Sequence, residues 1–182
     1  MYEVEVKVRA DHGTVRPRLA ELGADPLGSV TQADTYYDAP HRNFAATDEA
    51  LRIRRERTGD AERVELTYKG PLLEAESKSR EEHETAVSDA AATEGILDGL
   101  GFEPAATVRK ERERFEHGEF TVALDTVEGL GEFVEAETGT ADEDIAAARE
   151  EARDLLAALG LDPADQIRTS YLGLLLDADS QE

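Results

Sequence analysis

The chain has 182 residues, and its 42 acidic side chains against 20 basic give a formal net charge of −22. That length supports one core and a single domain over 1–182. The absence of cysteine excludes disulfides, thiolate zinc sites, iron–sulfur ligation and a cysteine nucleophile, so any metal must be held by oxygen or imidazole.

The acidic field excludes broad nucleic-acid binding, because it repels phosphate. No apolar run approaches the roughly 18 residues a membrane span needs, and the expectation is a cytoplasmic protein with neither nucleic-acid nor membrane partners. Hydrophobic content of 40% with regular patterning argues against disorder. Four lysines beside sixteen arginines, with acidic surplus along the whole chain, resemble the surface of a halophilic protein. In molar salt the screening length falls to about 3 Å, and such charge serves solvation more than repulsion.

Taken in chain order, period-2 alternation predicts about eight strands, at 2–9, 31–38, 51–57, 63–69, 78–87, 108–115, 119–125 and 131–138. Helical spacing predicts helices at 14–22, 93–100 and 143–159, and a short apolar one near 171–176. Three helices end in one phrase: Leu22-Gly23-Ala24-Asp25-Pro26, Leu100-Gly101-Phe102-Glu103-Pro104 and Leu159-Gly160-Leu161-Asp162-Pro163. Each glycine suits the left-handed closing position and each proline blocks resumption. Two of these helices lie between strands, which suggests two similar halves. Eight antiparallel strands can close on themselves and lose their edges, giving an α+β fold with helices outside. In the last long helix Ile145, Ala148, Ala152, Leu155, Leu156 and Leu159 form the stripe expected against the barrel.

The strands carry charge on one face. Val4, Val6 and Val8 oppose Glu3, Glu5 and Lys7; Arg52 and Arg54 share a face, as do Lys78, Arg80, Glu82 and Glu84, then Lys110, Arg112 and Arg114, and then Glu135 and Glu137. Either these faces all point to solvent or the barrel has a polar interior. All four lysines, Lys7, Lys69, Lys78 and Lys110, fall on predicted strands, which favours cations kept for an anionic ligand such as phosphate. Glu3 and Glu5 lie about 7 Å apart along one strand face, and Glu135 and Glu137 repeat that spacing. Such oxygen-only ligands suit Mg²⁺ or Mn²⁺ beside substrate phosphate. The four histidines, His12, His41, His83 and His117, form no paired ligand spacing, and neither a Ser/His/Asp arrangement nor a glycine-rich phosphate loop is evident.

Glu3-Val4-Glu5-Val6-Lys7 resembles the E-x-E-x-K signature of the CYTH superfamily, the triphosphate tunnel metalloenzymes. Further phrases follow in the family's order: Asp34-Thr35-Tyr36-Tyr37-Asp38, Leu51-Arg52-Ile53-Arg54, Leu66-Thr67-Tyr68-Lys69-Gly70-Pro71, Ser79-Arg80-Glu81-Glu82-His83-Glu84, Leu124-Asp125, Gly129 to Glu135, and Ser170-Tyr171-Leu172. The resemblance implies an eight-stranded closed antiparallel barrel, the triphosphate tunnel, over roughly 2–138, with C-terminal helices over roughly 143–177. It implies metal binding by Glu3, Glu5, Glu135 and Glu137, and phosphate binding by Lys7, Arg52, Arg54, Lys69, Lys78, Arg80, Lys110 and Arg112. It places Lys7 and Asp125 in the catalytic set, Asp125 orienting a basic residue or a metal-bound water.

Two chemistries fit such a site. A cyclase lets the ribose 3′-hydroxyl attack the α-phosphorus; a triphosphatase lets water attack the terminal one. The stretch from Asp38 to Phe44, with Thr47 to Arg52, looks more like the class IV adenylate cyclase subgroup. The expected activity is therefore conversion of ATP to cyclic AMP and pyrophosphate. Hydrolysis of tripolyphosphate or thiamine triphosphate is the alternative, followed by noncatalytic binding of nucleotide or polyphosphate. The resemblance is compatible with a homodimer.

Overall fold

Valine and charge alternate along the first strand, and burying the valines leaves the charges only one other face to occupy. In the computed structural model, which describes residues 2–73, 79–141 and 144–181, that face is the inside of a barrel. The strands are β1 (Tyr2–Arg9), β2 (Asp25–Asp38), β3 (Ala50–Thr58), β4 (Ala61–Lys69), β5 (Arg80–Ala86), β6 (Glu103–His117), β7 (Phe120–Val127) and β8 (Gly131–Thr140). They close in the order β1-β5-β4-β3-β2-β6-β7-β8, with every neighbouring pair antiparallel. The fold is α+β, as the sequence indicates.

The two halves are visible in this order. β2 to β5 form one run of adjacent strands; β6 to β8 form another, completed by β1. The halves meet along the extended β2–β6 ladder on one side. On the other they meet at a narrow seam, where Tyr2 faces Glu81 and Glu3 faces Arg80.

The apolar core lies outside the barrel wall, under the helices. Helix α1 (His12–Glu21) is capped by Asp11, whose side chain accepts from Gly13 N, and buries Val15 and Leu19. Helix α4 (Ile145–Ala158) buries Ile145, Ala148, Ala152, Leu155 and Leu156, with Leu159 just beyond, which is the stripe read from the sequence. Together α1 and α4 cover Val6, Val8, Phe115, Val122, Leu124 and Val134. Helix α3 (Ala90–Gly99) places Leu97 with Tyr37 and Ile53 on the opposite wall. The three helix-closing glycines, Gly23, Gly101 and Gly160, have φ of 71°, 87° and 81°, the left-handed geometry that lets the chain turn back without a Cβ clash.

The structure extends β2 and β6 beyond the predicted 31–38 and 108–115. Residues 25–30 of β2 pair with 112–116 of β6, and 103–107 of β6 pair with 35–38 of β2, through register shifts at Pro26/Gly28 and Tyr36/Tyr37, where alternation is broken and the pattern gives no signal. It also adds a single helical turn, α2 (Phe44–Thr47), too short to show a period, capped by Asn43. Helix α5 (Tyr171–Asp179) follows a 3₁₀ turn at Pro163–Asp165. Among the described residues no helix is long and apolar enough to cross a membrane.

Candidate functional site: a charged tunnel

The inward residues line a cavity of about 1760 Å³. Its wall includes Glu3, Glu5 and Lys7 from β1, Asp34 from β2, Arg52 and Arg54 from β3, Lys69 from β4, Arg80 and Glu82 from β5, Lys110 and Arg112 from β6, and Glu135 and Glu137 from β8. The charged faces therefore converge on one space. Lys78 lies outside the described residues.

On one wall Glu5 faces Glu137 and Lys7 faces Glu135 across the β1–β8 ladder. Glu5, Glu135 and Glu137 each bring a carboxylate oxygen within 4.8 Å of the others. Three carboxylates this close repel one another. Burial first, then the charges of Glu3, Glu135 and Glu5 against the pull of Arg112, push Glu137 up to about 7. Burial acts on Glu135 in the same sense, yet Arg112, Lys110 and Lys7 together outweigh it and hold that carboxyl below the ordinary range. A divalent cation would relieve this crowding, and the all-oxygen donor set fits a hard ion.

Glu3 turns elsewhere. Lys69 Nζ stands 2.8 Å from Glu3 and 2.9 Å from Glu82, and the two carboxyls are hydrogen-bonded. Burial would raise Glu3, but Lys69, Glu82 and Arg52 together outweigh it and hold that carboxyl below the ordinary range; burial and the bond to Glu3 push Glu82 up to about 7. The sequence pairing of Glu3 with Glu5 on one face is correct, yet their side chains serve different partners.

Two buried aspartates organise the cations. Asp34 accepts from Arg54 Nε at 2.7 Å and Nη2 at 2.6 Å, and from Arg52 at 3.3 Å. Asp125 accepts from Arg112 Nε at 2.7 Å and Nη2 at 2.6 Å, from Lys110 at 3.2 Å and from the Tyr171 hydroxyl at 2.9 Å. Each fork-to-fork pair fixes the plane of a guanidinium. Burial would raise both aspartates, but their cations hold them well below the usual carboxylate range. Burial, reinforced by Glu135 and Asp125, pushes the Tyr171 phenol well above its ordinary value, so it remains a donor. Arg112 also reaches Glu135, tying this clamp to the carboxylate trio.

Arg80 lines the cavity, but its guanidinium bonds Asp48 O at 2.6 Å and Asp48 Oδ2 at 3.0 Å. Asp48 is the left-handed cap of α2, with φ 55°, so Arg80 secures that turn. The oxygens of Asp125 are occupied by cations and a phenol, and it stands outside the carboxylate trio. His12 is buried, its Nε2 2.9 Å from Phe133 O, and His83 lies on the outside against Tyr68. Reasoning from sequence did not single out Asp34, Glu82 or Tyr171 as functional. Asp34 and Glu82 sit on inward alternation positions, which is the signal that could have found them; Tyr171 begins a helix and carries no such signal.

A closed antiparallel barrel that turns acids and bases inward and apolar side chains outward is a protein built around a charged ligand space. Residues 1–171 match the CYTH domain, and the chain belongs to that family. It is 38% identical over 176 residues to a Methanocaldococcus jannaschii protein provisionally named an adenylate cyclase, covering 96% of this chain and 98% of that one. It is 31% identical over 174 residues to adenylate cyclase CyaB of Aeromonas hydrophila, covering 93% and 86% respectively. The solved PH1819 protein of Pyrococcus horikoshii superposes with a TM-score of 0.90 at 38% identity, covering 97% and 99% of the two chains. A Hippeastrum protein provisionally named an adenylyl cyclase, and described as having a dominant triphosphatase activity, shares the fold, with a TM-score of 0.68 at 18% identity and coverage of 97% and 95%.

Proposed function

We propose that this chain is a metal-dependent enzyme acting on nucleoside triphosphates, and that its activity is that of a class IV adenylate cyclase, converting ATP to cyclic AMP and pyrophosphate. The observation that carries the reading is the side-by-side placement of the Glu5–Glu135–Glu137 trio and the Asp125-held Lys110 and Arg112. A pure anion binder needs only the cations; carboxylates among them suit a metal that shares the phosphates. Mg²⁺ or Mn²⁺ on the trio would supply charge stabilisation at the reacting phosphoryl group.

Lys7, Arg52, Arg54, Lys69, Lys110 and Arg112 grip the triphosphate. Their contribution is electrostatic and preorganised, because Asp34 and Asp125 already fix the guanidinium planes before substrate arrives. In the cyclase reaction the 3′-oxygen bonds to the α-phosphorus, the bond from that phosphorus to the bridging oxygen breaks, and pyrophosphate leaves held by the cations. Relatives bearing cyclase names across nearly the whole chain support this choice. Hydrolysis of the terminal phosphate is the second reading, favoured by the activity ascribed to the Hippeastrum protein of the same fold.

Incubation with ATP or tripolyphosphate in Mg²⁺ or Mn²⁺ at high salt, with products resolved, separates the readings. Cyclic AMP with pyrophosphate is the expected result. Phosphate alone makes the protein a hydrolase, and no product at all refutes both. Glu5→Gln should reduce turnover by about 100-fold or more while leaving circular dichroism unchanged; wild-type turnover in that variant removes Glu5 from the metal site.

A further inference from the structure

Lys7 is 2% exposed, yet among the described residues the nearest carboxylate oxygens, on Glu5 and Glu135, stand 3.6 and 3.9 Å from Nζ, beyond hydrogen-bond reach. A buried ammonium held so loosely needs another source of compensation. That source is a ring: Nζ lies 4.2 Å from the centroid of Tyr171. Lys110 Nζ lies 5.0 Å from the same ring.

Tyr171 is itself firmly held. Ser170 caps α5 by accepting from Gly173 N at 3.0 Å, which sets Tyr171 on the first turn. Its ring meets Phe133 edge-on at 5.0 Å, its hydroxyl donates to Asp125, and Ile167 N donates to Lys7 O at 2.7 Å just upstream. The C-terminal segment thus delivers one aromatic ring to the C-terminal part of β1 and the middle of β6.

The chemistry of that ring matters. A carboxylate in the same place would neutralise the lysines and take up their N–H donors. A ring attracts an ammonium through its quadrupole and accepts no strong hydrogen bond, so the Lys7 donors, and those of Lys110 that Asp125 does not take, stay available to an anion.

We propose that Tyr171 is a positioning residue whose ring holds both the Lys7 and the Lys110 ammonium groups as a two-pronged phosphate clamp, while its hydroxyl steadies Asp125. The proposal rests on the triphosphate reading given above. It makes α5 part of the binding machinery although α5 contributes no cation of its own to the clamp.

The test replaces Tyr171 by phenylalanine and by progressively fluorinated phenylalanines, which keep the ring's shape and drain its quadrupole. Binding of the nonhydrolysable imido analogue of tripolyphosphate with Mg²⁺ is followed by calorimetry, with melting curves to confirm the fold. Tyr171→Phe should bind within a few-fold of wild type, and affinity should then fall stepwise to about 10-fold weaker with full fluorination. In a Lys7→Met background the fluorine effect should shrink, because one prong is gone; a merely structural role leaves it unchanged. A flat fluorination series in a chain that binds the analogue overturns the role of Tyr171 alone. Failure of the wild type to bind overturns the triphosphate reading together with this inference.

Discussion

Replacing Asp34 by asparagine keeps the side chain's shape and removes one buried negative charge. Asp34 is 2% exposed, and the Arg52 and Arg54 it holds are each 8% exposed, so little water is at hand to replace the lost carboxylate. The amide can accept from one guanidinium N–H, but its own N–H₂ then faces a second donor. Breaking a buried pair in this way costs about 3 kcal/mol or more. For a chain of 182 residues that lowers the melting temperature by roughly 6–12 °C.

Urea denaturation followed by circular dichroism at fixed salt measures the loss directly. The pH dependence adds a check on cause. The Asp34 carboxyl is held below its ordinary value, so its contribution is fully present above the unfolded-state value of about 3.9 and declines as pH falls toward the native value. The gap between wild type and Asp34→Asn should therefore be constant from pH 7 to pH 5 and narrow by about 1.4 kcal/mol per pH unit below about 3.9. A loss under about 1 kcal/mol at pH 7, or a gap that stays unchanged in acid, would refute the argument that Asp34 is an ionised clamp.

Glu82 and Glu137, both pushed up to about 7, act in the opposite sense. A raised carboxyl favours the folded state below its unfolded value of about 4.3, and that contribution is lost as pH rises through about 7. Melting temperatures in EDTA should fall between pH 5 and pH 8, and Mg²⁺ should restore most of the loss at pH 8; equal melting at both pH values in EDTA counts against the crowded trio. The net charge of −22 predicts a fold that gains stability steeply as salt rises toward molar concentrations. Circular dichroism across salt concentrations checks this, and full stability in dilute buffer contradicts the halophilic reading.

The barrel was legible because its alternation is inverted in a consistent way. Val4, Val6 and Val8 lie under helices, so the opposite, charged face had to be either solvent or lumen, and lysines falling only on predicted strands pointed to the lumen. The lining of the cavity was legible for the same reason: Glu5, Lys7, Arg52, Arg54, Lys69, Lys110, Arg112, Glu135 and Glu137 share the inward parity. Pairing was not legible. Whether Glu3 joins Glu5 or Lys69 depends on the seam that sets β5 beside β1, and alternation carries no information about strand order. The resemblance set Asp125 apart from the metal-binding glutamates, but its partners Lys110, Arg112 and Tyr171 come from β6 and α5 and are seen only in the fold.

The β1–β8 ladder has a consequence for the order of events during synthesis. Glu135 and Glu137, the neighbours of Glu5 in the trio, are made some 130 residues after it. Contacts of such long sequence separation form late, because the intervening chain must be ordered before the ladder repays its closure. Until β8 is made the chain can display the Glu3-Val4-Glu5-Val6-Lys7 signature without being able to assemble the carboxylate trio. Any affinity of the trio for a cation would therefore arrive with β8, and metal capture would report that the barrel has closed.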